Sequence, residues 1–314
     1  MIDLSIVIPH YNSVQSLEKL LLSIPNKKNV EIIVIDDKSD EELAKLDNLK
    51  LKYNHVCFLE NNTGQKGAGV CRNIGLDHAT GKWILFADAD DFFVKDFYKI
   101  ISEYFHSNYE VIFFKPTSID IDTGNKSDRH IRYVEYIDNY LADETEVSEL
   151  NLRYRFFVPW SKMIKLDFVK RNRIYFEEVI ASNDVMFSTK IGYYMKDFKV
   201  VNKTIYCVTK GFGTLTTSMN QEIYESRLKE FIKFYTFLEN ALDHKQFKKL
   251  RLHGLGIILG AFQNKLGFSK ILWIFRQLKK NNIKLLDRRL LNPLKVYTVI
   301  KRYIKKRHYL VNKQ

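Results

Sequence analysis

The sequence has 314 residues, of which 46% are hydrophobic and 14% aromatic. This is enough apolar material for a folded core, and it excludes an intrinsically disordered chain. Three widely spaced cysteines, with no C-x-x-C pair, exclude a disulfide framework or a cysteine zinc site and indicate thiols in a reducing compartment. The N-terminus lacks the features of a signal peptide, and no apolar run approaches the roughly 20 residues that cross a bilayer. These patterns predict a cytosolic protein.

The formal net charge of +13 is concentrated near the C-terminus, where residues 265–314 hold 15 Lys and Arg and a single acid, Asp287. A basic tail that also carries Trp273 and Tyr303 fits a helix lying on anionic inner-leaflet lipids. A solvated helical face is the ordinary alternative for such a charge run. Nucleic-acid binding is not predicted, because no recognition motif accompanies the charge.

Short apolar segments predict five buried strands, at residues 4–9, 31–35, 56–59, 83–87 and 111–114. Segments with helical spacing separate them, beginning with a helix that Ser13 is placed to cap. Strands that alternate with helices predict a parallel α/β sheet. Such a sheet binds its ligands at the carboxyl ends of its strands.

The middle of the chain is less regular. Residues 116–155 are polar and acid-rich, and predict either a mobile excursion or a pair of helices, after which residues 158–164 return to the core. A further strand is predicted over 199–208. The small polar loop over 211–220 is suited to closing over a ligand, and helical patterning begins near residue 222.

Acidic residues follow two of the predicted strands. Asp36 and Asp37 follow the second strand, while Asp88 and Asp90 follow the fourth. In an extended backbone Asp88 and Asp90 project from one face with Cα atoms about 6.5–7 Å apart, so both can address one hydrated divalent cation. The glycine-rich loop over 61–69 follows the third strand and ends at the same edge. The pattern predicts a metal–diphosphate site, with a solvated acidic turn as the alternative.

Five segments of the chain resemble family 2 glycosyltransferases in their order and spacing. They are Ile8-Pro9-His10-Tyr11-Asn12, Val34-Ile35-Asp36-Asp37-Lys38-Ser39-Asp40, Asn62-Thr63-Gly64 with Arg72-Asn73, Ala87-Asp88-Ala89-Asp90-Asp91, and Ser182-Asn183-Asp184. The resemblance covers residues 2 to about 220. It implies an α/β protein with the GT-A fold, in which a mostly parallel nucleotide-binding sheet is flanked by helices, here followed by a basic C-terminal helical extension.

The resemblance also implies domain boundaries. Residues 1–220 would form the catalytic domain, with a nucleotide-sugar-binding half over 1–115 and an acceptor-binding half with its lid loop over 116–220. Residues 221–314 would form a helical region with the basic tail.

For the nucleotide-sugar donor, the resemblance implies a site built from four segments. The uracil and ribose of a UDP-sugar would be lined by Pro9, Tyr11, Asp36 and Asp37. Gly64 and Arg72 would lie near the nucleotide or its phosphates. Asp88 would contact the ribose or the water shell of a metal ion, and Asp90 would ligate Mn²⁺ or Mg²⁺. Asp91 would approach the sugar.

On the acceptor side, the resemblance implies that Asp184 is the general base, with Asn183, Trp160 and Lys162 nearby. Many members carry Glu-Asp where this chain has Asn183-Asp184, so Asp184 would act alone. A plain helix-start acid is the alternative for Asp184, and a core tryptophan with a surface lysine is the alternative for Trp160 and Lys162. No histidine occurs between His130 and His244, so a third metal ligand is not evident.

The resemblance thus implies a metal-dependent, inverting hexosyltransferase. It would move a sugar from a UDP-sugar to a glycan or lipid-linked saccharide in capsule or lipopolysaccharide synthesis, on the inner face of a bacterial cytoplasmic membrane. Two alternatives stay open. One is a catalytically silent homologue that binds glycan or scaffolds an assembly. The other is a different nucleotide-binding α/β enzyme, although the Gly64-x-x-Gly67-x-Gly69 loop does not match the dinucleotide-binding pattern.

Overall fold

A computed structural model describes residues 1–211 and 221–286 of the chain. Tertiary contacts divide the protein into two compact units, Met1–Gly211 and Phe212–Gln314. Most of the predicted lid loop (212–220) and much of the predicted basic tail (287–314) lie outside the described residues.

The first unit contains an eight-stranded sheet with the order β3-β2-β1-β4-β7-β6-β8-β5. The strands are β1 (Leu4–His10), β2 (Val30–Asp36), β3 (Cys57–Glu60), β4 (Trp83–Phe86), β5 (Phe92–Phe93), β6 (Val111–Asp120), β7 (Lys162–Lys165) and β8 (Phe198–Lys210). The five strands predicted up to residue 114 and the strand near residue 200 are all present, and the GT-A type of α/β architecture is confirmed.

One half of the sheet is parallel. β1 pairs in parallel with β2 and β4, and β2 pairs in parallel with β3. Their central residues are almost continuously apolar, as expected for strands covered by helices on both faces. Leu4, Ile6, Val7 and Ile8 of β1 are completely buried. All four strands therefore end at the same edge.

The other half of the sheet is mixed, which the sequence pattern did not predict. β7 lies antiparallel between β4 and β6, whereas β6 and β8 run parallel to each other. The short β5 pairs antiparallel with β8 through Phe92 and Phe93. β8 therefore lies beside the segment that follows β4, although more than 100 residues separate them in sequence.

Eight helices accompany the sheet in residues 1–211. They are α1 (Val14–Ser23), α2 (Leu43–Lys52), α3 (Ala68–His78), α4 (Phe97–Ser102), α5 (Ile131–Ala142), α6 (Glu146–Arg155), α7 (Leu166–Arg171) and α8 (Asn183–Tyr194). Leu17, Leu20 and Leu21 of α1 lie on one helical face and are buried. The segment 116–155 contains the pair α5 and α6, so the helix-pair alternative is the correct one.

The predicted side-chain cap of α1 is wrong. Ser13 does precede α1, but its side chain makes no capping hydrogen bond, and neither does that of Ser182 before α8. Ser182 instead has a left-handed backbone, with φ at 62°. Its function is to turn the chain sharply into α8, which begins with Asn183 and Asp184.

The second unit is helical over its described residues, as predicted. It contains α9 (Gln221–Ala241), α10 (His244–Leu250), α11 (Leu255–Gln263) and α12 (Phe268–Lys280). The Tyr224 hydroxyl donates a hydrogen bond to the Ile257 carbonyl, and Lys270 pairs with Glu225, so α9 is tied to α11 and α12. Among the residues described, no helix combines the length and the apolar character needed to cross a bilayer.

Candidate active site

The site lies where the parallel strands end. Because β1, β2, β3 and β4 run in the same direction in register, the segments that follow them emerge at one edge of the sheet. These segments begin at residues 11, 37, 61 and 87. The predicted convergence of the acidic segments and the glycine-rich loop is therefore realised.

The first carboxylate, Asp36, ends β2 and is held by the side chains of His10, at the end of β1, and of Ser39, in the loop after β2. Its Oδ1 lies 2.8 Å from His10 Nδ1, and the Ser39 hydroxyl donates to the same oxygen at 2.6 Å. The Ser13 amide donates to His10 Nε2, so the ring proton lies on Nδ1 and His10 donates to Asp36. Burial alone would raise the pKa of Asp36, but the hydrogen bonds from His10 and Ser39 lower it below its ordinary value.

The neighbouring Asp37 organises the glycine-rich loop. One carboxylate oxygen accepts from Asn61 Nδ2 at 2.6 Å and the other from the Gly67 amide at 2.7 Å. Asn61 also donates to the Gln65 carbonyl, which closes the loop on itself. Both carboxylates predicted to line the nucleoside, Asp36 and Asp37, are thus engaged within the protein, and their contacts shape the loops around the predicted nucleoside position.

The other predicted nucleoside residues are accessible. Tyr11 is 47% exposed, and the Lys66 ammonium lies 4.9 Å from the centre of its ring. Pro9 is half-buried within β1, where it pairs with Ile35. Gly64 lies in the turn of the glycine-rich loop with φ at +85°, a conformation that favours glycine.

The acidic segment after β4 is a turn, which corrects the extended geometry assumed from the sequence. The Asp91 amide donates to the Asp88 carbonyl at 3.0 Å, so Asp88 and Asp90 do not alternate along a strand. β8 holds the turn in place: Thr209 donates through its hydroxyl to the Asp90 carbonyl and through its amide to the Asp91 carboxylate, both at 2.7 Å. Asp88 and Asp90 remain half-buried at the site.

Asp91, predicted to approach the sugar, has a different environment. Its side chain is enclosed, with the residue 2% exposed, and receives hydrogen bonds from the Thr209 amide and the Tyr206 hydroxyl. The same Tyr206 oxygen accepts from the Asp88 amide at 2.8 Å. Burial, together with Asp90 and Asp88, raises the pKa of Asp91 well above its ordinary value. Asp91 therefore stabilises the turn from the interior of the protein.

The turn concentrates negative charge. Burial and the neighbouring Asp88 raise the pKa of Asp90, and Arg129 and Arg72 oppose this only in part. A divalent cation would relieve this repulsion, and two carboxylates completed by phosphate oxygens and water form a suitable ligand set for Mg²⁺. Within residues 1–211 and 221–286 no cluster of three or more His, Cys, Asp or Glu side chains could hold a metal ion. The donor set thus fits a cation that is bound together with a diphosphate.

Arg72 connects the acidic turn to the start of α8. It is 6% exposed and lies on α3, and its guanidinium donates to Asp88 Oδ1 at 2.5 Å and to Asn183 Oδ1 at 2.7 Å. Its planar fork of donors suits two acceptors at once. The Asn183 that departs from the family pattern thus supplies a neutral acceptor for Arg72.

A close approach of two backbones makes this connection possible. A Cβ atom at Gly69 of α3 would lie 2.3 Å from the Glu177 carbonyl oxygen, so only glycine fits there. One turn further on, Asn73 exchanges hydrogen bonds with the backbone of Phe176. α3 and the segment 176–183 are therefore locked together, with Arg72 between them.

Asp184 is half-buried in the first turn of α8, beside this connection. Burial raises its pKa, and Asp88 acts in the same direction, whereas Arg72 and Lys162 lower it. A raised pKa caused by burial and by a neighbouring charge is typical of carboxylates that transfer protons. Asp184 therefore has more charged neighbours than an ordinary acid at the start of a helix.

Trp160 is a core tryptophan, as the alternative interpretation had it, whereas Lys162 differs from both sequence interpretations. Trp160 is buried and stacks on Tyr206, with ring centres 5.7 Å apart. Lys162 is neither a surface residue nor accessible to an acceptor, because it is only 1% exposed. The core around Lys162 encloses its ammonium group as well as its aliphatic stem.

Sequence reasoning missed several residues that build the site. His10 and Asn73 lie inside the family motifs, and Asn61 begins the glycine-rich loop. The polar character of His10 and Asn61 at strand ends could have indicated a supporting function. Tyr206 and Thr209 had no such pattern, because they reach the acidic turn only through the pairing of β8 with β5.

Comparisons with known proteins agree with this geometry. The pattern of Glycosyl transferase family 2 matches residues 5–173, more than half of the chain. The poly(ribitol-phosphate) beta-N-acetylglucosaminyltransferase TarS of Staphylococcus aureus is 29% identical over 222 residues, which are 68% of this chain and 36% of TarS. The chain therefore spans about a third of the length of that relative.

Two further similarities are informative. The GalNAc(5)-diNAcBac-PP-undecaprenol beta-1,3-glucosyltransferase of Campylobacter jejuni is 25% identical over 254 residues, covering 74% of this chain and 79% of that enzyme. The crystal structure of residues 1–349 of S. aureus TarS in complex with UDP-GlcNAc superposes with a TM-score of 0.68 at 20% identity, covering 89% of this chain and 80% of that one. At that identity the superposition establishes the fold. The chain is a member of glycosyl transferase family 2.

Proposed function

We propose that the protein is an inverting glycosyltransferase that moves a sugar from a UDP-sugar to a hydroxyl of a glycan or lipid-linked saccharide. The observation that carries the proposal is the double hydrogen bond of Arg72 to Asp88 and Asn183. It holds an acidic turn suited to a cation and a diphosphate beside the helix whose first turn contains Asp184. A nucleotide-binding protein without a transfer reaction has no need of a second, separately supported carboxylate at this place.

On the donor side, we propose that Tyr11 and Pro9 line the uracil and ribose, while Asp36 and Asp37 hold the surrounding loops and present their remaining lone pairs. The amides of the loop around Gly64 and the Arg72 guanidinium face the nucleotide and its phosphates. UDP is the proposed nucleotide because solved structures of TarS contain UDP-GlcNAc or UDP.

Asp90, assisted by Asp88, would hold a divalent cation, Mn²⁺ or Mg²⁺, against the diphosphate. When bound, the cation supplies Lewis-acid stabilisation of the charge that grows on the leaving UDP. The chain itself contributes the two carboxylates and the hydrogen bonds from Thr209 that fix the turn. It also contributes the positive charge of Arg72, which donates a hydrogen bond to Asp88.

Asp184 is the proposed general base. Its carboxylate takes the proton of the acceptor hydroxyl while that oxygen attacks the anomeric carbon, and the bond from this carbon to the UDP oxygen breaks as UDP leaves. One base on the face opposite the leaving group is sufficient for inversion. Asn183 holds Arg72 next to this base, and Trp160 supports the turn through Tyr206 from inside the core.

The relatives suggest the first substrates to test. TarS is named for transfer of N-acetylglucosamine to poly(ribitol phosphate), and the C. jejuni enzyme for transfer of glucose to a lipid-linked oligosaccharide. We therefore propose UDP-GlcNAc and UDP-glucose as donors, with a product of beta configuration. The acceptor would be a cell-surface polymer or its lipid-linked precursor, with capsule and lipopolysaccharide precursors as further candidates.

We also propose a division of labour along the chain. Residues 1–115 would bind the donor, 116–220 would bind the acceptor and close over it, and 221–314 would form a helical region. The basic residues over 265–314 would place the enzyme on anionic lipids of the inner face of the cytoplasmic membrane, where lipid-linked acceptors are available.

The reaction is tested by measuring UDP release from UDP-GlcNAc and UDP-glucose with Mn²⁺, with Mg²⁺ and with EDTA, using poly(ribitol phosphate) and polyprenyl-diphosphate saccharides as acceptors. We expect acceptor-stimulated release that EDTA abolishes. Asp184→Asn should lower transfer by about 10³-fold while donor affinity stays unchanged, because it removes only the base.

Asp167→Asn is a matched control, since Asp167 is also an acid in the first turn of a helix but pairs with Arg171 at the surface. It should retain transfer. Full activity of Asp184→Asn, or the absence of turnover with every donor and acceptor, would contradict the proposal and favour a binding protein.

Membrane association is tested by co-sedimentation of the full chain and of residues 1–286 with phosphatidylglycerol vesicles and with neutral vesicles. The shorter chain retains every described helix. We expect the full chain to bind anionic vesicles more strongly, with the difference disappearing at high salt. Equal sedimentation of the two chains would contradict a lipid-binding function of the last 28 residues.

A further inference from the structure

Lys162 is a buried charge that the reaction as described does not use. It begins β7, in the middle of the sheet, and is 1% exposed. Burying an ammonium group costs several kcal/mol unless hydrogen bonds and an opposite charge compensate. A methionine of similar volume would fill the same space without that cost, so the presence of lysine needs a physical reason.

The contacts of the ammonium group point toward α8. Lys162 Nζ donates to the Phe156 carbonyl and to the Ser188 hydroxyl, both at 2.9 Å. The Ser188 hydroxyl in turn donates to the Phe157 carbonyl. A chain of hydrogen bonds thus runs from β7 to α8 and back to the segment that precedes β7.

Ser188 lies four residues after Asp184 on α8, so the two side chains share one face of the helix. Whatever fixes Ser188 therefore also fixes the rotation of α8 that aims Asp184. The helix starts at a left-handed Ser182 whose side chain makes no capping bond. Its orientation thus depends on contacts such as those of Ser188 and Arg72.

The charge of Lys162 also acts on Asp184. Burial lowers the pKa of Lys162 to about 7, and Asp184 is the charged group that opposes this shift. Lys162 in turn lowers the pKa of Asp184. The other groups that face Asp184 are Arg72 from α3, Asp88 from the acidic turn and Tyr133 from α5.

We propose that Lys162 is a positioning residue for Asp184: it anchors α8 through Ser188, and its buried positive charge keeps the Asp184 carboxylate ionised. This inference rests on the proposed function, in which Asp184 is the base. Lys162 is protonated below a pH of about 7, and its charge there opposes the burial and the Asp88 charge that raise the pKa of Asp184.

The test is the pH dependence of kcat for sugar transfer by the full chain, from pH 5 to 9, in Lys162→Met. Without the positive charge the pKa of Asp184 rises, so the acid limb of the profile should move up by about one pH unit. The rate on that limb should fall by up to about tenfold, and above pH 8 only the pH-independent loss that comes from the missing Ser188 anchor should remain. KM for the donor and the midpoint of thermal unfolding should be preserved.

Lys165→Met is the matched control, because Lys165 ends the same strand but is half-buried and lies over the Trp83 ring. Its pH profile should coincide with that of the wild type. Ser188→Ala provides a second variant in case Lys162→Met does not fold. Loss of the acceptor hydroxyl should move the acid limb in the same direction by a smaller amount.

The outcomes separate this inference from the proposed function. If folded Lys162→Met has the wild-type pH profile, or if Ser188→Ala does so when Lys162→Met cannot be obtained, Lys162 has only a structural function and the inference is wrong. If Asp184→Asn retains transfer, the proposed function itself is wrong. An upward shift of the acid limb with an inactive Asp184→Asn supports both.

Discussion

Two groups of carboxylates lie at the same edge of the sheet, but their environments are opposite. Asp36 and Asp37, after β2, receive hydrogen bonds from His10, Ser39, Asn61 and the Gly67 amide. These bonds lower the pKa of Asp36 although burial opposes them. In the group after β4, Asp91 accepts hydrogen bonds from Thr209 and Tyr206 and Asp88 accepts one from Arg72, but burial together with mutual repulsion still raises the pKa of Asp90 and Asp91.

This difference in pKa distinguishes carboxylates that stabilise the fold from carboxylates that are expected to bind a ligand. A carboxylate whose hydrogen bonds are all supplied by the protein stabilises the fold and shapes the neighbouring loop. A cluster whose repulsion the protein leaves in place is destabilising by itself, and becomes favourable when a ligand brings positive charge. By this criterion the acidic turn is the place where cation and diphosphate are expected, and Asp36 and Asp37 are its supports.

Among the variants that test this comparison, the largest effect is expected for Asp90→Asn, which should lower kcat/KM by about 10²–10³-fold and weaken donor affinity, because it removes a ligand of the proposed cation that binds the diphosphate. The raised pKa of Asp90 means that its ionisation opposes folding once the pH exceeds that pKa. The free energy of unfolding at pH 7 should therefore be equal or higher in the variant, as measured by urea denaturation.

Asp122→Asn, an exposed acid in the turn after β6, is the control and should change neither quantity. Unchanged donor affinity in Asp90→Asn would show that the acidic turn is not the diphosphate site. A clear loss of stability would mean that Asp90, like Asp36, is a structural carboxylate.

An intermediate effect is expected for Arg72→Lys, which keeps the charge but cannot donate to Asp88 and Asn183 in one plane. We expect kcat/KM to fall by about 10- to 100-fold, the range seen when a group that orients a ligand-binding side chain is lost. Steady-state kinetics of Arg72→Lys and Arg72→Met would measure this. Similar losses in the two variants support a geometric function, whereas wild-type rates in Arg72→Lys would mean that only its charge matters.

The smallest effect on activity, and the clearest on stability, is expected for Asp36→Asn. Loss of charge-assisted hydrogen bonds should lower the free energy of unfolding by about 1–3 kcal/mol at pH 7, with only a few-fold change in transfer. Because the pKa of Asp36 is lowered on folding, its stabilisation is complete above about pH 3.8 and disappears as the pH falls through the folded value.

Urea denaturation of wild type and Asp36→Asn between pH 3 and 7 tests this pH dependence. The difference in free energy of unfolding between the two proteins should shrink at the acid end. A difference that stays constant over the whole range would show that the carboxylate charge of Asp36 is not what stabilises the fold.

The amino-acid sequence by itself determined the parallel half of the fold and the members of the site on it. Apolar runs that end in polar residues define β1 to β4, and parallel strands bring their carboxyl ends together whatever the rest of the chain does. For this reason the positions of Asp36, Asp37, Asp88 and Asp90 at one edge followed from local pattern alone.

Only the tertiary structure decided which partners these residues have and how deeply they are buried. The pairing of β8 with β5 and β6 brings Tyr206 and Thr209 to the acidic turn and turns Asp91 inward, over more than 100 residues of separation. The antiparallel insertion of β7 buries Lys162 against α8. Local periodicity carries no information about which distant strand becomes a neighbour, because that choice depends on the packing of the whole core. The identity of the charged residues was therefore visible in the sequence, but their partners and protonation were not.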